Sequence, residues 1–199
     1  MNYLAVLDYE HLDNGMFLTS FARSLAKKKG RGIIIHGDSE YTNRIIQTGV
    51  MRDEARIRAT KDLNHRLVAL FADEGIPAIA LNGYQKSMIS ATQEGVKVDK
   101  KQIESLPGDT VILLSNLVIN REKKVLSLSL PELASSLLTT FQLKQIILFS
   151  TKDGADMMVK NYPVIIESNT QAEESILDEI PVEFQSIDCR VELTVPSAF

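Results

Sequence analysis

Three consecutive branched aliphatics, Ile33, Ile34 and Ile35, are bounded by Gly32 and by the polar run His36, Gly37, Asp38 and Ser39. An unbroken apolar run of that length is what a strand buried on both faces of a parallel sheet requires. Similar runs recur at residues 3–8, 77–81, 110–115 and 145–150. Between them the apolar positions change to helical spacing. Phe17, Leu18, Phe21 and Leu25 mark one face of a helix over 14–29, and Ile45 and Ile46 mark another over 40–48. Ile57, Leu63, Leu67, Leu70 and Phe71 form the stripe of a long helix over 52–73, opposite a face carrying Arg52, Glu54, Arg58, Lys61 and Arg66. Pro131 fits the first position of a helix running through Thr140. Strands alternating with helices predict an α/β fold, a three-layer sandwich around a mostly parallel central sheet.

The remaining signals are shorter. Residues 88–91 and 96–98 read as a hairpin around Gly95, 100–105 as a helical turn, and 120–124 as a charged turn into an extended stretch over 125–130. Residues 164–166, 182–184 and 190–195 are strand candidates, with a short helix near 173–177.

A chain of 199 residues with 44% apolar content supports a single domain with a sizeable core. Lys and Arg total 22 against 26 Asp and Glu, a net charge of −4, which gives no electrostatic reason to expect nucleic acid or an acidic membrane as partner. A small-molecule ligand is the expectation. The opening residues lack the pattern of a signal peptide, and no apolar run is long enough to span a bilayer. The single cysteine, Cys189, has no disulfide partner in the chain, which fits a reducing cytoplasm. His11 and His65 show no metal-ligand spacing, so no structural metal is expected. There is no nucleophile elbow and no Walker loop, and the Gly30–Gly32 pair precedes a strand where a dinucleotide fingerprint would follow one.

In open α/β folds, ligands collect at the carboxyl ends of the strands. The turn after Ile35 is therefore the first candidate site. Gly37 allows a sharp bend, and Asp38 or Ser39 can cap the helix that starts near Glu40, leaving amide groups and a helix N-terminus for an anionic or polar small molecule. His36 reads either as a donor to a bound carboxylate or phosphate or as a strand-end histidine bonded to the backbone. Asn82 and Gly83 end the third strand and read either as ligand contacts, through close backbone approach, or as an ordinary turn.

Across residues 33–91 the chain resembles the amino-acid kinase superfamily, most closely its acetylglutamate kinase branch. The resemblance rests on an ordered set: Ile34-Ile35-His36-Gly37, then Asn64-His65-Arg66-Leu67-Val68-Ala69-Leu70, then Gly75-Ile76-Pro77-Ala78-Ile79-Ala80-Leu81-Asn82-Gly83, then Ser87-Met88-Ile89-Ser90-Ala91. The set covers roughly a third of the chain, and fainter likeness extends to 126–134 and 149–154. It implies one amino-acid kinase-like domain over 1–199 with a shortened nucleotide half. It also implies that Asn64 is within reach of an acceptor ligand, the alternative being a buried amide tying helix to strand. Arg56 and Arg58 lie near the place where relatives keep a carboxylate-binding arginine, but the segment is shortened and they read as a solvated helix face. Lys152 and Gly154 would form the nucleotide-binding loop, the alternative for Lys152 being a surface lysine.

Members of this family transfer the terminal phosphoryl group of ATP, which requires cations and close backbone approach around the transferring group. Here the family's first-strand lysine is replaced by Val6-Leu7-Asp8-Tyr9, and its glycine triplet by Gly37-Asp38-Ser39. Ser129-Leu130-Pro131 stands where an Asn-Ala-Asp motif is expected, with Glu132 the nearest acid, and Phe149-Ser150-Thr151 stands for Leu-Thr-Asp. The resemblance therefore implies a kinase-like fold whose catalytic groups are lost, with a binding or regulatory role for a small carboxylate or similar ligand. The alternative is an active ATP-dependent kinase in which Lys86 or Lys152 and Glu132 replace the usual set, with ATP and Mg as cofactors. A homodimer through the long helix is also implied.

Overall fold

The computed structural model describes residues 1–39, 52–151, 162–167 and 174–199. The helix expected over 40–48, and Lys152 and Gly154, lie outside the described residues.

The strands are β1 (Tyr3–Leu7), β2 (Gly32–His36), β3 (Ala78–Asn82), β4 (Ile89–Thr92), β5 (Gly95–Val98), β6 (Val111–Ser115), β7 (Leu117–Ile119), β8 (Val125–Ser127), β9 (Ile146–Phe149), β10 (Val164–Ile166) and β11 (Val191–Thr194). The helices are α1 (Gly15–Leu25), α2 (Arg52–Asp73), α3 (Lys100–Glu104), α4 (Leu130–Phe141) and α5 (Glu174–Leu177).

The central sheet has the order β10-β11-β9-β1-β2-β6-β3. Only β10 runs antiparallel to its neighbour among these pairs; the other five contacts are parallel. Alternation along the inner strands divides the core into two. Leu4, Val6, Ile33, Ile35, Ile112 and Leu114 face α4, where Leu133, Leu137 and Phe141 meet them. Ala5, Leu7, Ile34 and Leu113 face the other way, onto Phe17 and Phe21 of α1 and Leu63, Leu67 and Phe71 of α2. Both faces of the sheet are thus covered, which is why the central strands read as unbroken apolar runs and not as alternating ones. The long helix directs its apolar stripe at its own sheet.

Helix ends follow local chemistry. The Asn14 side chain accepts from the Phe17 amide at 3.0 Å and starts α1. Ser129 caps α4, accepting from the Glu132 amide at 3.4 Å with Pro131 in the first turn, and Gln142 closes the helix in the left-handed region.

Two departures from the sequence reading matter. A second sheet, β5-β4-β7-β8, stands beside the first. The β4–β5 hairpin was expected, but β7 was not: it follows β6 after a single residue, Asn116, with no turn residue to separate them. Residues 182–184, expected as a strand, form a 3-10 turn in which the Phe184 amide bonds to the Pro181 carbonyl at 2.8 Å. Proline there fixes the chain direction, and Phe184 is driven fully into the core while Val182 and Glu183 face outward.

Candidate functional site

The carboxyl ends of β1, β2, β3 and β6 meet on one side of the sheet. His36, the last residue of β2, pairs in register with Leu7 of β1 and Ser115 of β6, and Ser115 with Asn82 of β3. Beyond them a cleft of about 540 Å³ opens, lined by Tyr9, Gly37, Asp38, Arg56, Asn116, Ser129 and Glu183 among others.

Gly37 and Asp38 line the cleft directly, and Ser39 is buried next to them. His36 lies one residue earlier with its ring fully buried and Nδ1 3.0 Å from the Gly37 carbonyl oxygen. That bond assigns the proton to Nδ1. Burial pushes the imidazole below its ordinary value of 6.5, against smaller support from the Gly37 carbonyl and the Asn64 side-chain oxygen, so the ring is neutral at neutral pH. Oγ1 of Thr60, one turn before Asn64 on α2, has no hydrogen-bond partner among the described residues.

Asn64, Asn82 and Gly83 occupy the same end of the sheet but are not among the residues lining the cleft. Asn64 donates to the Leu81 carbonyl at 3.1 Å, tying α2 to β3. Asn82 accepts from the Ser115 hydroxyl at 2.8 Å. Gly83 sits where the two sheets meet. Its carbonyl accepts from the Ile89 amide at 2.7 Å, and a Cβ there would lie 2.9 Å from the Leu117 carbonyl oxygen.

Four lining residues were not assigned to the site from the sequence. Arg56, read as part of a solvated face, reaches Asp38 at 3.2 Å and lines the cleft. Its side chain is 45% exposed, and Asp38's is 27% exposed. An ion pair that accessible contributes at most about 1 kcal/mol to stability, and its guanidinium stays available to a ligand. Asn116 follows an apolar run just as Gly37 does, so the rule that located Gly37 would have located it too. Its amide donates to the Leu128 carbonyl at 2.7 Å, and its backbone amide bonds to the His36 carbonyl at 2.9 Å, joining the ends of β2, β6 and β8. Ser129 brings the N-terminus of α4 to the cleft. Glu183 arrives from the 3-10 turn at residues 182–184, and no local pattern announces it. Partial burial, then repulsion from Asp8 and Asp38, push its carboxyl above the ordinary 4.5.

The charge of the site follows. Among the described lining residues Arg56 is the one cation, and no lysine is present. Asp38 and Glu183 line the cleft, and Asp8 is buried close enough to repel Glu183. No group of three or more histidine, cysteine or carboxylate side chains among the described residues is arranged to hold a metal ion.

No family model and no curated protein matches this sequence. Solved structures do. Smu.665 from Streptococcus mutans UA159 superposes with a TM-score of 0.63 at 16% identity, over 87% of this chain and 81% of that one. N-acetylglutamate synthase from Neisseria gonorrhoeae, complexed with coenzyme A and L-arginine, matches 99% of this chain and 56% of its own, at a TM-score of 0.65 and 14% identity. Isopentenyl phosphate kinase from T. acidophilum, in a product complex, matches 99% of this chain and 92% of its own, at 0.58 and 9% identity. The chain has the amino-acid kinase fold. Within the amino-acid kinase fold the cleft stands at the carboxyl ends of the parallel strands, the position general to ligand sites in open α/β sheets. Identities of this size carry the fold alone. No helix among the described residues is long and apolar enough to cross a membrane.

Proposed function

We propose that this amino-acid kinase-like protein binds a small carboxylate or similar polar ligand in the cleft beside Gly37, in a binding or regulatory role, without transferring a phosphoryl group. The observation that carries this reading is the charge of the cleft. Its one described cation, Arg56, is already paired with Asp38, and Asp8 and Glu183 add negative charge on the same side. Phosphoryl transfer develops negative charge on equatorial oxygens that must be met by cations and backbone amides. A triphosphate brought here would meet carboxylates instead. Losing even one such transition-state contact costs roughly a hundred- to a thousand-fold in rate.

A small carboxylate asks for less. One guanidinium and the positive end of one helix suffice to hold it, and Arg56 and the first turn of α4 stand on the same cleft. Calorimetry with acetylglutamate and with ATP-Mg, alongside a phosphoryl-transfer assay, tests the reading. We expect measurable carboxylate binding, no transfer, and a loss of about tenfold in carboxylate affinity in Arg56→Gln. ATP-Mg binding accompanied by transfer of phosphate to the carboxylate would overturn it.

A further inference from the structure

The other end of the sheet carries the opposite charge. At the amino ends of β1 and β9 a second cleft, of about 550 Å³, is lined by Tyr3, Lys28, Lys29, Lys144, Gln145 and Glu192 among others. Lys28 and Lys29 follow the end of α1, and Lys144 follows the end of α4, so two separate connections bring three lysines to the lining of one concavity. None of the three pairs with a side-chain carboxylate within 4.0 Å among the described residues. The one acid lining the cleft, Glu192, is held by the side-chain amide of Gln145.

Lys28 is the most constrained of the three. Its Nζ lies 3.9 Å from the centre of the Phe199 ring and 5.3 Å from that of Tyr3, and donates to a terminal carboxylate oxygen of Phe199 at 3.3 Å. Burial lowers its pKa from the ordinary 10.5, with Glu192 acting in the opposite direction, and an anion arriving beside it would oppose that shift by charge attraction. Tyr3, on the same wall, keeps its hydroxyl buried against the Gly32 backbone without a hydrogen-bond partner among the described residues, and burial holds that phenol protonated up to about 12.

Lysines near helix C-termini have an ordinary explanation, since each C-terminus carries about half a negative charge. Here that explanation falls short. Two helix C-termini amount to about one negative charge, Glu192 supplies one more, and the Met1 amine in the lining offsets the Phe199 carboxylate beside Lys28, against three lysines. About one positive charge is left over, in a concavity of small-molecule size, on a chain whose net charge is −4.

We propose that the basic cleft at the amino ends of β1 and β9 binds a small phosphate-bearing anion, separately from the cleft at the carboxyl ends. The ligand's phosphate sits among Lys28, Lys29 and Lys144. Such a site regulates or tethers; it lies on the opposite side of the sheet from the first cleft and contributes no group to it.

Titration of the full chain with pyrophosphate, followed by calorimetry and by melting temperature, is the test. We expect millimolar or tighter binding that weakens as ionic strength rises. The double variant Lys28→Met, Lys144→Gln keeps the Lys28 stem over the two rings and should lose about tenfold or more in affinity with its fold intact by circular dichroism. Lys101→Gln, which removes an exposed lysine elsewhere, should bind as the parent does. Equal affinity in the double variant and the parent, or no binding at millimolar pyrophosphate, overturns the proposal. Sedimentation with phosphatidylcholine vesicles containing phosphatidic acid separates the two sources of a phosphate. Pelleting with those vesicles, undiminished by pyrophosphate, would overturn a soluble ligand in favour of a membrane surface.

Discussion

Replacing Gly83 by alanine tests whether that glycine serves the ligand or the fold. The added Cβ would stand 2.9 Å from the Leu117 carbonyl oxygen, 3.1 Å from Ile89 Cβ and 3.3 Å from Ile89 Cδ1. Neither neighbour is free to retreat. The Leu117 oxygen already accepts from the Tyr84 amide at 2.9 Å, the Ile89 amide donates to Gly83 itself at 2.7 Å, and both side chains are fully buried. Overpacking of this kind costs about 1–3 kcal/mol, and the lower entropy of the unfolded alanine chain returns about 0.4–1 kcal/mol of it. A net loss of about 1–2 kcal/mol corresponds to a fall in melting temperature of roughly 2–8 °C for a chain of this size. In urea the midpoint should fall while the slope stays constant, because the surface exposed on unfolding is unchanged. Gly15→Ala is the matching control. That position opens α1 with nothing within 4 Å of the new carbon, so the variant should hold or gain stability, by up to about 1 kcal/mol. A Gly83→Ala protein that melts with the parent yet loses carboxylate binding would refute the packing argument and return Gly83 to the ligand.

Two titrations have definite signs. His36 is held neutral below its ordinary 6.5, so as pH falls through about 6.5 the unfolded chain takes up a proton that the folded one refuses, and stability declines; His36→Gln should flatten the slope of melting temperature against pH in that interval. Glu183 is shifted the other way. The folded chain keeps its proton to a higher pH than the unfolded one, so the carboxylate's contribution turns unfavourable as pH rises past 4.5, and Glu183→Gln should match the parent in acid and melt no lower, or higher, at neutral pH. A Glu183→Gln protein that melts lower only at neutral pH would show the carboxylate to be stabilising and remove the repulsion from Asp8 and Asp38 on which the charge argument draws.

Much of the fold was legible because a sheet covered on both faces leaves a strong local mark. Ile33 to Ile35, the apolar run of β6 and the stripe Leu63, Leu67, Phe71 each report burial from their own neighbours in sequence. The second sheet was half legible for the converse reason. The β4–β5 hairpin carries Gly95, whose φ of +117° a turn demands, whereas β7 is three residues long and follows β6 without any punctuation. Residues 182–184 mislead because a partly apolar triplet after proline suits a strand and a 3-10 turn equally, and only the space into which Phe184 packs decides between them.

The site was less legible than the fold because its charges are assembled across the chain. Strand-end logic located Gly37 and Asp38, but the role of Arg56 depends on which side of α2 faces Asp38, and Glu183 enters from a connection more than a hundred residues later. The two ends of the sheet then divide by a rule that sequence alone does not express. Carboxylates share the first cleft with the start of α4, and lysines share the second with the residues that follow α1 and α4, which is the arrangement helix dipoles favour. A dipole end is worth about half a charge, so a full balance needs only one side chain for every two helix ends. What exceeds that balance, three carboxylates around one arginine on one side and three lysines around one glutamate on the other, is not explained by folding the helices. Charge in excess of what the backbone requires is, on our proposal, the part of each end left for a ligand.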